Sequence, residues 1–332
     1  MAKERVLYLD VSKFFAILLV CIGHAYYMTI GIESNVRNVI YLFHMPLFMI
    51  ISGYFSVHTY QKRMMPFLFR KSKQLLLPFL SYYVILFTYH TLEEGWNMPL
   101  VLDMSISLLW FLKTLFICYI TVYFFKKTPF FPDWLCAILS CMFFITIPYG
   151  DTMAVSFMLP MFWVGYYWRK YYQWYLEHQK IITVASLIVF VTLAYFYVSG
   201  RLEQPAFTWA SMLSEPLSFV SRILTGVSGS FLCIGAIYLV CNKDLVHQRI
   251  ISVLGEVGQF TLGIFVVQFI VIEQIGKMFF SIHNISTHMT PWFDYVLTPI
   301  MGCMALLICY VLVRLLCKVK IINLLFFGNQ YL

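Results

Sequence analysis

A chain of 332 residues that is 61% hydrophobic and only 11% charged, with a mean hydropathy of +0.80, is not a water-soluble globular domain. Soluble domains carry about 25% charged residues to wet their surface. The formal net charge of +8 does not call for nucleic acid, because basic loops and contact with anionic lipid headgroups account for it.

Apolar runs near the length of a membrane-crossing helix, about 20 residues, occur at 14–30, 36–57, 75–91, 106–125, 134–148, 153–168, 181–198, 222–241, 259–277 and 294–316. They predict an all-α polytopic membrane protein of about ten transmembrane helices, a single domain over 1–332 with no appended soluble domain. Such uninterrupted runs exclude a transmembrane barrel, whose strands alternate. The fifth and sixth runs are short and separated by Pro148-Tyr149-Gly150-Asp151, so a re-entrant pair is the alternative there. The nine cysteines all lie in or at the ends of runs, without a CxxC, and read as packing residues rather than a disulfide framework or metal site. Lys3 and Arg5 precede the first run, but no small-x-small cleavage site follows it, so it reads as a retained helix.

Cytoplasmic loops are enriched in Lys and Arg. With the N-terminus inside, cytoplasmic segments hold 18 of the 23 basic residues, and outer loops hold only Arg37, Arg201, Arg222 and Lys277. Lys113, within a run, completes the count. Both termini are therefore expected in the cytoplasm.

Polar residues inside the runs are the informative ones, since a charge at the bilayer centre costs roughly 2.5–3.5 kcal/mol even on lenient scales. In the first helix, Lys13 and His24 are eleven residues apart, which places them on one face about 16 Å apart along the axis. Asp10 lies about 40° off that line. His24 is either a packing histidine bonded to another helix or a reactive imidazole. Lys13 taken alone could snorkel to the headgroups. In the second run, His44 sits within FHMPLF, ahead of Pro46 and Gly53. A kinked wall beside a polar cavity and a Pro-bent packing helix are both open. Arg70 and Lys73, in RKSKQLLLP at the cytoplasmic start of the third run, are either topological or a clamp for phosphates. In the fourth run Lys113 follows Trp110 by one turn, and a buried lysine wants a carboxylate or a wet cavity. Trp110 suits stacking on a sugar ring or anchoring at the interface. Gln268 and Glu273 are the polar residues at depth in the ninth run, and Glu273 is the candidate partner for Lys113.

The ordered set DVSK…GH, FHMPLFMIISGY, RKSKQLLLP, WFLK, PMFWVGY and TLGIFVVQ resembles the acyltransferase-3 family of membrane enzymes, which includes O-acetylases of bacterial surface polysaccharides. Two positions depart from the family pattern: Lys13 stands where many members have Arg, and Gln268 where many have His. His44 matches only one branch. The resemblance implies an O-acyltransferase of the bacterial cytoplasmic membrane. Its acyl donor would be cytoplasmic acyl-CoA, with acetyl-CoA the expected form, and its acceptor a carbohydrate or glycolipid hydroxyl. His24 would be catalytic, and Lys13, Arg70 and Lys73 would hold the donor phosphates. Asp10, His44, Trp110, Lys113 and Glu273 would support the acceptor side, and no metal is implied. A flippase or transporter without covalent chemistry and an acyltransferase for a small non-sugar acceptor are the rival expectations; a structural scaffold fits the buried His and Lys poorly.

Overall fold

A computed structural model describes residues 6–29, 34–60, 63–95, 106–127, 130–147, 153–242, 248–276, 278 and 290–331. The separator at 148–151 and the basic residues Lys3, Arg5, Lys62, Lys243 and Lys277 lie outside the described residues. Within them every regular element is helical. In chain order these are α1 (Leu7–Ala25), α2 (Asn35–Ser56), α3 (Met64–Lys71), a π-helical turn (Ser72–Leu76), α4 (Leu77–Glu94), α5 (Trp110–Lys127), α6 (Asp133–Thr146) and α7 (Val155–Lys170). They continue as α8 (Tyr172–Val198), α9 (Trp209–Ser214), α10 (Pro216–Cys241), α11 (Gln248–Gln259), α12 (Thr261–Gln268), a π segment (Phe269–Gly276), a second π segment (Phe293–Leu297), α13 (Thr298–Leu316) and α14 (Lys320–Phe327).

Each apolar run meets one of these helices, but not every helix suits a crossing. Five are long and apolar enough: Leu7–Ala25, Asn35–Thr59, Tyr172–Val198, Pro216–Cys241 and Phe293–Leu316. A sixth crossing results if α11 and Thr261–Glu273, which meet at 61°, form one broken span. Length and composition thus support five or six of the ten expected crossings. Three of the others fall short for identifiable reasons. Helix α5 carries Lys113, Lys126 and Lys127, α6 has 14 residues and α7 has 16.

Contacts group the chain into two compact units: Met1–Ile51, Tyr171–Gln204 and Val220–Leu315 form one, and Ser52–Lys170, Pro205–Phe219 and Leu316–Leu332 form the other.

In the first unit α11 lies along α1. Glycine makes the approach possible: a Cβ on Gly258 would stand 1.9 Å from the backbone oxygen of Asp10. At the other end of α1, a Cβ on Gly302 of α13 would stand 2.5 Å from the Cα of Ile22. Small residues at such contacts let membrane helices gain close van der Waals packing where no hydrophobic drive exists between them. Helix α8 meets α2 through Leu42, Phe190 and Ala194, with Phe43 edge-on to Phe190 at 5.1 Å. It meets α10 through Gln179, whose amide donates to the Gly235 carbonyl at 3.0 Å. The opposite face of α8 exposes Ile181, Val184, Ile188, Val191 and Tyr195, spaced by three and four as a lipid-facing stripe requires.

In the second unit Pro78, near the start of α4, removes the amide that would bond back to Gln74. The turn just before it is π-helical, and the freed Gln74 carbonyl accepts from the Gln330 side chain at 3.5 Å. Gly53 brings the end of α2 against α7, because a Cβ there would lie 2.0 Å from the Phe162 carbonyl. Asp133 collects Lys126, Lys170 at 2.9 Å and the Tyr166 hydroxyl at 3.2 Å. Burial alone would raise its carboxyl, but the hydrogen bonds from Lys126 and Lys170 win and hold it below its ordinary value.

The Gly258 contact is with backbone, which cannot swing aside. Gly258→Ala should cost about 1–3 kcal/mol as overpacking, measured as a lower thermal midpoint in detergent. A midpoint equal to wild type would mean that α11 slides freely on α1.

Candidate active site

Helix α1 carries His24 one residue before its end. Its Nδ1 lies 2.5 Å from Oε1 of Glu273, with the side chains 22% and 18% exposed. A carboxylate only accepts, so Nδ1 holds the hydrogen and Nε2 of the neutral ring keeps its lone pair. The pair therefore has an oriented tautomer with one bare nitrogen, the arrangement a general base requires.

Glu273 reaches His24 because it lies in the π segment Phe269–Gly276 rather than in regular α-helix. Such turns recur at functional sites. Gly276 closes the segment onto the turn that follows α1, since a Cβ there would overlap the sulfur of Met28 at 2.0 Å. One turn of chain earlier, Gln268 is 1% exposed and its Oε1 has no hydrogen-bond partner.

Glu273, expected from the sequence as a partner for Lys113, is the partner of His24 within the first unit. Lys113, in the second unit, donates to the Ile106 carbonyl at 2.8 Å and lies 4.5 Å from the centroid of Phe79. Trp110 is half-buried at the head of the same helix, edge-on to Phe111 at 6.0 Å. Arg70 is exposed and Lys73 half-buried in that unit, while the neighbouring Lys71 sits 3.3 Å over the Tyr119 ring. In the first unit Lys13 pairs with Asp10 at 2.9 Å, one helical turn apart as the spacing predicts. His44 is buried, and its Nδ1 donates to its own helix at Ile40 O, 2.8 Å away. Its ring lies 4.7 Å from that of Tyr41.

The sequence reading missed Arg37, Tyr27 and Tyr41. The Tyr27 ring is 5.9 Å from the His24 ring, and the Tyr27 hydroxyl accepts from Arg37 Nη2 at 2.8 Å. A signal was available: Arg37, Tyr41 and His44 are spaced by four and three, which puts them on one face of α2. Among the described residues no group of three His, Cys, Asp or Glu is placed to hold a metal.

A helical membrane protein with a carboxylate-oriented histidine at the end of its first helix defines the class chemically. The model of the acyltransferase-3 family, described as an acyltransferase domain, matches residues 6–314, and the chain belongs to that family. No curated protein and no solved structure matches it.

The tautomer is directly observable. Nitrogen-15 spectra of the neutral His24 ring should show hydrogen on Nδ1 in the wild type. Glu273→Gln can present an amide N–H to Nδ1 and drive the hydrogen to Nε2. Identical spectra for the two proteins would disconnect Glu273 from His24.

Proposed function

We propose that this acyltransferase moves an acetyl group from cytoplasmic acetyl-CoA to a hydroxyl of a cell-surface carbohydrate or its lipid-linked precursor, with His24 as general base. The observation that carries the reading is the 2.5 Å contact of His24 Nδ1 with Glu273, which leaves Nε2 free to take a proton. In the proposed step Nε2 removes the acceptor's hydroxyl proton and the oxygen attacks the thioester carbonyl. The new C–O bond forms, the C–S bond breaks, and the imidazolium returns its proton to the departing thiolate. Glu273 holds the ring in place and stabilises the imidazolium that forms, as the carboxylate of a catalytic triad does.

Lys13 and, separately, Arg70 and Lys73 are our candidates for contacts with the phosphates of the donor. Arg70 offers a planar fork suited to phosphate and the lysines offer point charges. Lys13 is already engaged by Asp10 at 2.9 Å, which fixes where its charge sits. Trp110 and Lys113 are candidates for the acceptor side. The reading includes a bacterial cytoplasmic membrane, ten spans and both termini in the cytoplasm.

The test is acetyl-CoA binding and free-thiol release by the detergent-purified chain, wild type beside His24→Ala. We expect binding to survive and thiol release to fall by about 10²–10⁴-fold, the usual weight of a general base. Wild-type turnover in His24→Ala would end the assignment. Absence of acetyl-CoA binding in both proteins would remove the donor, and a transporter without covalent chemistry would then be the better reading.

A further inference from the structure

Arg37 is only 9% exposed, yet among the described residues no carboxylate lies within the 4.0 Å of an ion pair. Its Nη2 donates to the Tyr27 hydroxyl at 2.8 Å. Its guanidinium carbon stands 3.9 Å from the centroid of Tyr41 and 4.9 Å from that of Tyr27. Its Nε is buried with no hydrogen-bond partner. Two aromatic faces offset part of the cost of burying this charge, but an aromatic face does not satisfy an in-plane N–H.

The start of the helix adds positive potential of its own. Arg37 is the third residue of α2, at the end where a helix dipole is positive and favours anions. The nearby acid, Asp294, is committed elsewhere. Its carboxylate accepts from the Ser34 hydroxyl, and its backbone carbonyl accepts from Tyr26 at 2.6 Å. Ser34 Oγ in turn accepts the backbone amide of Arg37 at 3.1 Å, so Asp294 stabilises the start of the helix through Ser34. A buried cation left in this state calls for an anion that the described residues do not supply. Guanidinium is the side chain best shaped to hold an oxyanion by two parallel hydrogen bonds.

We propose that Arg37, framed by Tyr27 and Tyr41, binds an anionic oxygen group of the acceptor, a carboxylate or a phosphate. This enzyme would then select acidic sugars or phosphate-bearing glycolipids over neutral ones. Tyr27 links the site to the chemistry, because its hydroxyl meets Arg37 and its ring lies beside His24 at 5.9 Å. Assigning the anion to the acceptor rests on the acyl-transfer reading; the anion site itself does not.

The experiment is a calorimetric titration of the detergent-purified full chain with methyl glucuronoside, glucose 1-phosphate and neutral methyl glucoside. Preference for the first marks a sugar carboxylate as the source of the anion, and preference for the second a phosphate. We expect wild type to bind one of the two anions at least 10-fold more tightly than the neutral sugar. Arg37→Gln should lose that preference, and Arg37→Lys should keep part of it, since a point charge attracts without the fork. Equal binding of all three sugars by wild type overturns the proposal, as does a preference unchanged in Arg37→Gln. Should Arg37→Gln fail to fold, a wild-type preference in Arg37→Lys overturns the recognition by the fork. Acetyl transfer to the same three sugars separates this idea from the reaction on which it builds. Equal transfer to acidic and neutral sugars sinks the anion site and leaves the chemistry. Arg37-dependent binding with no transfer to any sugar sustains the site and sinks the chemistry.

Discussion

The acyl-transfer chemistry proposed for this protein depends on one contact, the carboxylate of Glu273 against Nδ1 of His24 at 2.5 Å. An imidazole and a carboxylate are both costly in a membrane when alone, and each makes the other tolerable. The contact also has a direction. Because the acid takes one ring nitrogen, the other is left available, which is what the proposed base role of His24 needs. Such a contact tolerates little slack, so the helices that carry the two residues must be held at fixed spacing. Backbone does that work here. Gly258 lets α11 rest on the Asp10 carbonyl, and Gly302 lets α13 rest on Ile22. Helix α1 is thereby gripped near both ends, with His24 beyond the second grip.

The helices themselves were legible in the sequence because composition forces them: an apolar chain in lipid must satisfy its backbone internally. Every apolar run accordingly meets a helix. Counting crossings from those runs was less secure. A run of apolar letters does not distinguish a helix facing lipid, such as α8 with 17% of its apolar window buried, from a short one packed against protein. The Lys13–Asp10 pair was also readable, since an i, i+3 spacing in a helix leaves little choice of geometry.

The partner of Glu273 was not readable, and the reason is local. In a regular α-helix Glu273 would point about 140° away from Gln268, five residues earlier. The intervening segment is π-helical, and its i→i+5 turns bring such residues nearly into line. Depth along the membrane can be estimated from sequence, whereas rotation about a helix axis is lost as soon as the turn changes. Depth alone offered Glu273 to Lys113, while rotation gives it to His24. Lys113 meanwhile takes the carbonyl of Ile106, a backbone acceptor that no side-chain pattern announces.

Lys13 and Arg37, both in the first unit, are treated in opposite ways, and the contrast bears on what each is for. Lys13 has a carboxylate one turn away on its own helix, so its charge is offset whether or not a ligand arrives. Arg37 has tyrosines instead, at the end of a helix whose dipole repels it. A residue kept only for packing at that position would gain from losing its charge, because an apolar side chain of similar length would fill the space without an unmet N–H. Arg37 keeps the charge, next to the tyrosine whose ring lies 5.9 Å from that of His24. The part of the cost that the tyrosines leave would be offset by an anion, and an anion bound there would bring the rest of its molecule to His24. The proposed specificity and chemistry would in this way sit near one another, one at the start of α2 and the other at the end of α1.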